Sequence, residues 1–200
     1  MNVISAELIG IILGDGYIKK NKKIKITFNS KDDLHYMYFV KKLIYDLFCY
    51  NAPVHFRKNE NAVDIRITKR SIVNYFLKEG LKESPKWNKA EIPKSYLKHK
   101  KYVLRGLFDT DGCLVRTNNN GTLYPRLEIK ICPSPLQKQI IKVLESYNFR
   151  FGVYQIGNGQ IRLQINGRSE LKKWNKLIGF SNNKHLMKFY EIMRYSGDWI

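Results

Sequence analysis

Along this chain, apolar residues recur at every second position in some stretches, as in a strand, and at helical spacing in others. The same order of such stretches occurs twice. Residues 23–29 alternate strictly, with Ile24, Ile26 and Phe28 opposite polar residues, which is typical of a strand with one buried face. Residues 30–48 instead carry apolar side chains at helical spacing behind a capping segment. A hairpin across residues 59–61 and a short helix ending at Gly80 complete the first half.

The second half repeats this order of elements. Residues 126–131 alternate, a long helix follows, residues 151–166 form a predicted hairpin, and a closing helix ends near Phe180. Each half is therefore predicted to be helix, two strands, helix, two strands, helix. The predicted fold class is α+β, with two pseudo-symmetric repeats and antiparallel sheets. The predicted organisation is a first half at 1–80, a linker at 81–97, and a second half at 98–200 that ends in an added helix.

Each half begins with an apolar helix that runs into an aspartate and a glycine. The stretches LIGIILGDG and LRGLFDTDG lie 96 residues apart. Ser5 is predicted to cap the first of these helices, with Glu7 in its first turn. A carboxylate is disfavoured at a helix C-terminus, where the backbone dipole is negative. Asp15 and Asp111 both occupy that position, so their placement needs another explanation.

The charge of the chain points to a polyanionic partner. The 200 residues include 36 Lys and Arg against 17 Asp and Glu, a net charge of +19. Both halves are basic, with 18 basic and 10 acidic residues in 1–97 and 18 against 7 in 98–200. Such a surplus favours nucleic acid, or else a membrane surface, as the partner.

Other features narrow the class of protein. Cys49, Cys113 and Cys132 show no CxxC spacing, so we expect reduced thiols and neither a disulfide framework nor a zinc site. The N-terminus lacks the basic region of a secretory signal, and no apolar run approaches the ~20 residues that span a bilayer. We therefore expect a soluble intracellular protein, with no distinction between cytoplasm and organelle.

The two nonapeptides resemble the motif of the LAGLIDADG homing endonucleases, of the single-chain kind with two motifs. The segment KAEIPKSYLKHKKYVLRGLFDTDGCL is also similar to the family's approach to its second motif, and the resemblance covers essentially the whole chain. Leu13 departs from the family's usual first aspartate, whereas both final Asp-Gly pairs are intact. The resemblance implies a monomeric, site-specific double-strand DNA endonuclease that leaves 3′ overhangs.

Small residues on the motif helices predict how the two halves meet. Gly10 and Gly14 in one helix, and Gly106 and Thr110 in the other, are spaced i and i+4, so each helix has one small face. Two such helices pressed together bring Asp15 and Asp111 side by side.

Two adjacent carboxylates repel each other, and a divalent cation removes that repulsion. Their oxygens, with the Gly14 and Thr110 carbonyls, suit Mg²⁺ (or Mn²⁺) and metal-assisted hydrolysis of phosphodiesters. Asp109, two residues before Asp111, is interpreted as an ion-paired or solvated residue.

The outward faces of the strands are predicted to read DNA bases. Long basic and amide side chains fit the donor and acceptor pattern of the major groove. The predicted DNA-contacting residues are Lys23, Lys25, Thr27, Asn29, Arg66, Thr68, Arg126, Glu128, Lys130, Arg162, Gln164 and Asn166. Lys130 is also a candidate catalytic lysine, as the resemblance implies, with Lys25 as its approximate counterpart.

Two alternative functions stay open at this level. A maturase of the same family would bind intron RNA, and a regulator of the same fold would bind DNA without cleaving it. The intact Asp15 and Asp111 argue against the regulator but not against a maturase that retains both activities.

Overall fold

The computed structural model describes residues 2–119 and 122–194, which form two similar sets of helices and strands. The first set is α1 (Val3–Gly14), β1 (Gly16–Lys19), β2 (Lys23–Asn29), α2 (Leu34–Phe48), β3 (Val54–Phe56), β4 (Ala62–Ile67) and α3 (Arg70–Lys78). The second set is α4 (Lys100–Asp111), β5 (Gly112–Asn119), β6 (Thr122–Ile131), α5 (Pro135–Ser146), β7 (Phe151–Gln155), β8 (Ile161–Asn166), α6 (Arg168–Leu177) and α7 (Asn183–Arg194).

The strands form two antiparallel four-stranded sheets of the same topology. The strand orders are β1-β2-β4-β3 and β5-β6-β8-β7. Gly16, which follows the first motif aspartate, pairs with Ile26, and Gly112 pairs with Ile129 in the second sheet. The predicted α+β fold of two pseudo-symmetric repeats is confirmed, and these pairs define which residues are equivalent in the two halves.

The alternation of the strands separates a buried face from an outer face in each sheet. Val63, Ile65 and Ile67 of β4 are fully buried against the helices, as are Ile24 and Ile26 of β2. The polar residues between them lie on the other face, because successive side chains of a strand point to opposite sides. Each sheet thus offers one outer surface made of its polar positions.

The two halves meet where α1 packs along α4. A Cβ added at Gly10 would lie 2.1 Å from the Val103 carbonyl oxygen, and one at Gly106 would lie 2.3 Å from that of Glu7. Neither position has room for a side chain, so the predicted small faces do allow the helix backbones to approach closely. The helix α1 is buried on all sides, which explains why its sequence is apolar all round.

The start of α1 differs from the prediction. Asn2 is the N-cap, and its side chain accepts a hydrogen bond from the Ile4 amide at 3.2 Å. Ser5 lies inside the helix, where its hydroxyl is 2.7 Å from the Tyr96 hydroxyl and 2.9 Å from that of Tyr75. Tertiary partners, rather than the helix terminus, therefore satisfy the Ser5 hydroxyl.

The segment between α3 and α4 is fastened to both halves. The Ser84 amide donates to the Ile18 carbonyl at 2.9 Å, and the Asn88 amide donates to that of Pro133 at 2.7 Å. A 3-10 helix at Lys94–His99 then leads into α4.

Beyond Phe180, the predicted additional helix corresponds to α7, and residues 195–200 lie outside the described part of the chain. No helix within residues 2–119 and 122–194 has the length and apolar character to cross a membrane.

Candidate active site

Asp15 and Asp111 lie together at the junction of the two halves, as the motif spacing predicted. Asp15 is the C-cap of α1 and Asp111 is the last residue of α4. Both carboxylates therefore lie where the negative ends of two helices meet.

The surroundings of the pair disfavour two negative charges. Both residues reach the surface, yet protein atoms crowd each carboxylate. The resulting loss of hydration, followed by the charge of Asp15, raises the pKa of Asp111 to about 7. Loss of hydration also raises the pKa of Asp15, while the positive charge of Lys86 opposes that rise. This is a site where a cation would relieve an electrostatic strain.

Lys86 reaches this site from the segment between the halves, where no motif or periodic pattern predicts a functional residue. Its Nζ donates to the carbonyl oxygens of Ile12 at 3.0 Å, of Leu13 at 2.7 Å and of Gly14. These are the last carbonyls of α1, which lack partners within the helix. The Gly14 carbonyl, which is a predicted metal ligand, accepts a hydrogen bond from Lys86 in this structure.

The ammonium of Lys86 also belongs to the electrostatics of the carboxylate pair. Burial lowers the pKa of Lys86, and the negative charges of Asp111 and Asp15 oppose that effect. A cation placed beside two carboxylates and at a negative helix end is favourable for both reasons. Lys86 lies outside every helix and strand, so no helical or alternating pattern in the sequence predicts its position.

A second lysine approaches the pair from the other half. The Lys184 Nζ lies 2.7 Å from Asp33 Oδ1, and the charges of both residues act on Asp15. The Asn182 side chain donates to the same Asp33 oxygen at 2.9 Å. Lys184 follows α6 and Gly179 as Lys86 follows α3 and Gly80, and both glycines have positive φ. The two lysines thus occupy similar places in the two repeats.

Lys130 faces the same space as Asp111. A cavity of about 260 Å³ is lined by residues that include Gly14, Lys86, Trp87, Asp111, Lys130 and Cys132. Lys25 does not line it. The strand register makes Thr27, rather than Lys25, the counterpart of Lys130, because Ile26 and Ile129 are equivalent. The prediction of Lys25 as the counterpart is therefore wrong.

Asp109 is buried and has no ion-pair partner among the described residues, which corrects the sequence-based interpretation. It is 2% exposed, and its Oδ2 accepts the amide of Ser181 at 2.6 Å and that of Asn182 at 3.1 Å. Burial raises its pKa to about 8, against the effect of these two hydrogen bonds. Asp109 therefore fastens the turn before α7 onto α4.

The proposed DNA-contacting residues lie at polar positions of the strands, except Thr68, which directly follows β4. Eleven of the twelve are exposed or half-buried, and Gln164 is buried with its Nε2 directed at Glu128 Oε2 over 3.4 Å. Several are engaged with one another, as in the Arg126–Glu128 ion pair at 3.1 Å. The sheets therefore present ordered polar surfaces rather than isolated charges.

The donor set at the junction fits a hard divalent cation that keeps part of its water shell. Within residues 2–119 and 122–194 no group of three or more His, Cys, Asp or Glu side chains could hold a metal ion. Two carboxylates with raised pKa values remain, and Mg²⁺ commonly binds through one or two carboxylates plus phosphate oxygens and waters. The pair is thus suited to a metal that is shared with a phosphate substrate.

Comparison with known proteins assigns the family. The model of the LAGLIDADG DNA endonuclease family matches residues 6–172, and the chain belongs to this family. The small subunit of replication factor C from Methanocaldococcus jannaschii is 26% identical over 204 residues. That match covers 94% of this chain but only 10% of the relative.

Solved structures share the fold at low sequence identity. I-SmaMI bound to an uncleaved DNA target with calcium superposes with a TM-score of 0.64 at 12% identity, covering 98% of this chain and 92% of that one. I-DmoI in complex with DNA and Mn gives 0.60 at 19% identity, covering 90% and 99%. The I-LtrWI homing endonuclease bound to target DNA gives 0.62 at 12% identity, covering 97% and 91%.

Proposed function

We propose that this protein is a site-specific, metal-dependent endonuclease that cleaves both strands of duplex DNA and acts as a monomer. The observation that carries the proposal is the carboxylate pair, Asp15 and Asp111, held at the C-terminal ends of two packed helices between two basic sheets. One chain supplies both halves of a pseudo-twofold site, which matches a duplex whose two strands are antiparallel.

Asp15 and Asp111 would hold the metal in this proposal, together with the Thr110 carbonyl. Gly14 is omitted because its carbonyl accepts a hydrogen bond from Lys86. Bound Mg²⁺ or Mn²⁺ supplies Lewis acidity and an activated water for phosphodiester hydrolysis. The chain itself contributes two neighbouring carboxylates, and the negative charge of Asp15 raises the pKa of Asp111, so a bound cation would relieve their repulsion.

The lysines have a separate task around the scissile phosphate. Lys130 lies on the outer face of β6, and Lys130, Lys86 and Asp111 line the same cavity. Fixed positive charges at this place stabilise the charge that develops on the phosphate oxygens and the leaving oxygen. Within the pseudo-twofold active site, we assign Lys130 and Lys86 to the half that belongs to the second repeat and Lys184 to the half that belongs to the first.

The two sheets would grip the flanking DNA through the twelve proposed DNA-contacting residues. A twisted antiparallel ribbon fits the major groove, and two sheets side by side cover a long site. Cleavage then falls at the centre, across the minor groove, and a stagger between the two cuts leaves 3′ overhangs. This geometry is what the family resemblance implies for the chain.

Cleavage selection from a randomised duplex library tests the proposal. With Mg²⁺ and purified monomer, confirmed by sedimentation, we expect one recovered sequence class with staggered ends, and no cleavage in EDTA. Binding to the recovered duplex should weaken with salt at a log–log slope of about −9 if roughly ten phosphates are contacted. Preferential binding of folded intron RNA over every duplex would instead favour the maturase function.

A further inference from the structure

A buried carboxylate lies on the outer, DNA-facing side of the first sheet. The Asp64 side chain is 1% exposed, although its neighbours Val63 and Ile65 face the core on the other side of β4. A bare carboxylate on a surface that meets phosphates would repel them. We therefore expect the Asp64 carboxylate to have a role that depends on its negative charge.

Arg57 neutralises this carboxylate, and each of its three side-chain nitrogens has a hydrogen-bond partner. Its Nε lies 3.2 Å from Asp64 Oδ2 and its Nη2 lies 2.9 Å from Oδ1. The Arg57 Nη1 binds Glu60 at 2.9 Å, and Nη2 also reaches the Thr27 hydroxyl at 3.3 Å. Although burial alone would raise the pKa of Asp64, the hydrogen bonds from Arg57, Thr27 and Arg66 lower it. Asp64 is therefore a fixed anion, and Arg57 has no free edge for a base.

Arg66 is held by the same carboxylate through one of its three side-chain nitrogens. Its Nη2 lies 3.3 Å from Asp64 Oδ2, whereas Nε is buried without a hydrogen-bond partner within residues 2–119 and 122–194. Its side chain is 36% exposed, and its backbone amide is fixed to the Pro53 carbonyl at 2.9 Å. One nitrogen of the guanidinium is thus anchored, and the side chain stays partly open to solvent.

We propose that Arg66, oriented by Asp64, reads a guanine in the half-site that lies on the first sheet. An arginine offers two parallel N–H donors that match the O6 and N7 acceptors of guanine in the major groove. Anchoring by Asp64 fixes the guanidinium before DNA arrives, so less rotamer freedom is lost on binding. This inference rests on the proposed function, because it requires that the sheet faces duplex DNA.

The equivalent position in the second sheet carries a different group. Arg66 pairs with Lys25 in the register of the first sheet, and Gln164 pairs with Glu128 at the same place in the second. Gln164 is 6% exposed and is directed at Glu128, so it has no arginine-like edge. The preferred site should therefore contain a guanine in one half-site without a guanine at the symmetry-related base pair.

The test is a binding selection from a randomised duplex library without divalent cation, followed by sequencing. Wild type is compared with Arg66→Met, Asp64→Asn and the control Arg126→Met, because lysine would still donate to guanine whereas methionine keeps the apolar stem without a donor. Arg126 lies in the other sheet, where it pairs with Glu128. We expect Arg66→Met to lower the preference for guanine at one base pair by roughly 10- to 100-fold and to leave the other positions unchanged. Asp64→Asn should broaden the same position, and Arg126→Met should affect only the opposite half-site.

Several results would overturn the inference. An intact guanine preference in Arg66→Met would show that Arg66 contacts no base, and an equal loss of affinity for all sequences would show that it contacts only a phosphate. If Asp64→Asn is unfolded by circular dichroism, Arg66→Met decides alone, because it leaves the carboxylate with Arg57. A wild type that enriches no duplex would overturn the proposed function as well, whereas an enriched site unaffected by Arg66→Met overturns this inference alone.

Discussion

Lys86 donates to the Leu13 carbonyl over 2.7 Å, which places a cation from the inter-half segment at the C-terminal end of the first motif helix. The same ammonium acts on Asp111 and Asp15. A single side chain therefore links the helix terminus, the carboxylate pair and the segment that joins the two halves.

Replacing Lys86 by Met should reduce DNA cleavage by roughly 100-fold or more, because a preorganised charge beside the reacting phosphate is removed. Methionine keeps the apolar stem, so binding to the selected duplex should change by only a few-fold. Cleavage rate and binding constant are measured on the same labelled duplex. Lys89→Met is the matched control, since Lys89 is exposed and its Nζ lies 3.3 Å from the Glu83 carbonyl. Equal cleavage by the two variants would contradict the role of Lys86.

Alanine at Gly10 or at Gly106 should destabilise the protein strongly. The added Cβ would lie 2.1 Å from the Val103 carbonyl oxygen in one case and 2.3 Å from the Glu7 carbonyl oxygen in the other. Because backbone cannot move aside cheaply, we expect the free energy of unfolding in urea to fall by about 3 kcal/mol or more. Asn74→Ala on the exposed face of α3 should change it by less than about 0.5 kcal/mol. Wild-type stability of both glycine variants would show that the helices do not meet there.

Asp109 should tolerate asparagine but not leucine. An amide oxygen can still accept the Ser181 and Asn182 amides, so Asp109→Asn should fold and retain cleavage. Asp109→Leu leaves both amides without an acceptor and should lower the free energy of unfolding by about 2 kcal/mol or more. Thermal unfolding followed by circular dichroism compares the two variants. Equal melting temperatures of the two variants would show that Asp109 does not anchor α7.

His185 should make stability depend on pH below neutrality. Burial, reinforced by the charge of Lys184, lowers the pKa of His185 to about 4. The unfolded chain takes up this proton near pH 6.5 and the folded chain only near pH 4, so stability is lost as pH falls between these values. The loss approaches about 3 kcal/mol at pH 4. In His185→Phe the other groups titrate as in wild type, so the difference between the two unfolding curves against pH isolates this loss. A constant difference would contradict it.

The repeat, its elements and the carboxylate pair could be predicted because each leaves a local mark on the sequence. Alternation marks β2 and β8, and the spacing of Gly10 and Gly106 marks the helix contact. These signals are repeated in the two halves, so each half supports the assignment of the other. The local sequence pattern was sufficient to predict the environment of those residues whose neighbours are determined by their own strand or helix.

The remaining features depend on contacts between distant parts of the chain. A serine such as Ser5 can cap a helix, but here its hydroxyl forms hydrogen bonds with the hydroxyls of Tyr75 and Tyr96. Lys86 lies in a segment without any period, so only tertiary structure places it at the site. Lys25 and Thr27 lie on the same face of β2, so alternation alone does not separate them, and only the register with β1 makes Thr27 equivalent to Lys130. Asp109 looked like a surface acid because the turn that covers it lies about seventy residues away.

The central claim is that Asp15 and Asp111 hold the catalytic metal and contribute little to folding. Asp15→Asn and Asp111→Asn each remove one charge from a repelling pair, so stability should be unchanged or slightly higher. An amide oxygen is a neutral and poorer ligand for a hard cation, so double-strand cleavage should be lost.

The most direct measurement is Mg²⁺-dependent cleavage of the selected duplex, with each strand labelled separately, by these two variants and by Asp109→Asn. The account predicts full binding and no double-strand cleavage by the Asp15 and Asp111 variants, with residual nicking of one strand, and cleavage by the Asp109 variant. Cleavage at wild-type rates by the Asp15 and Asp111 variants, with a dead Asp109→Asn, would contradict it.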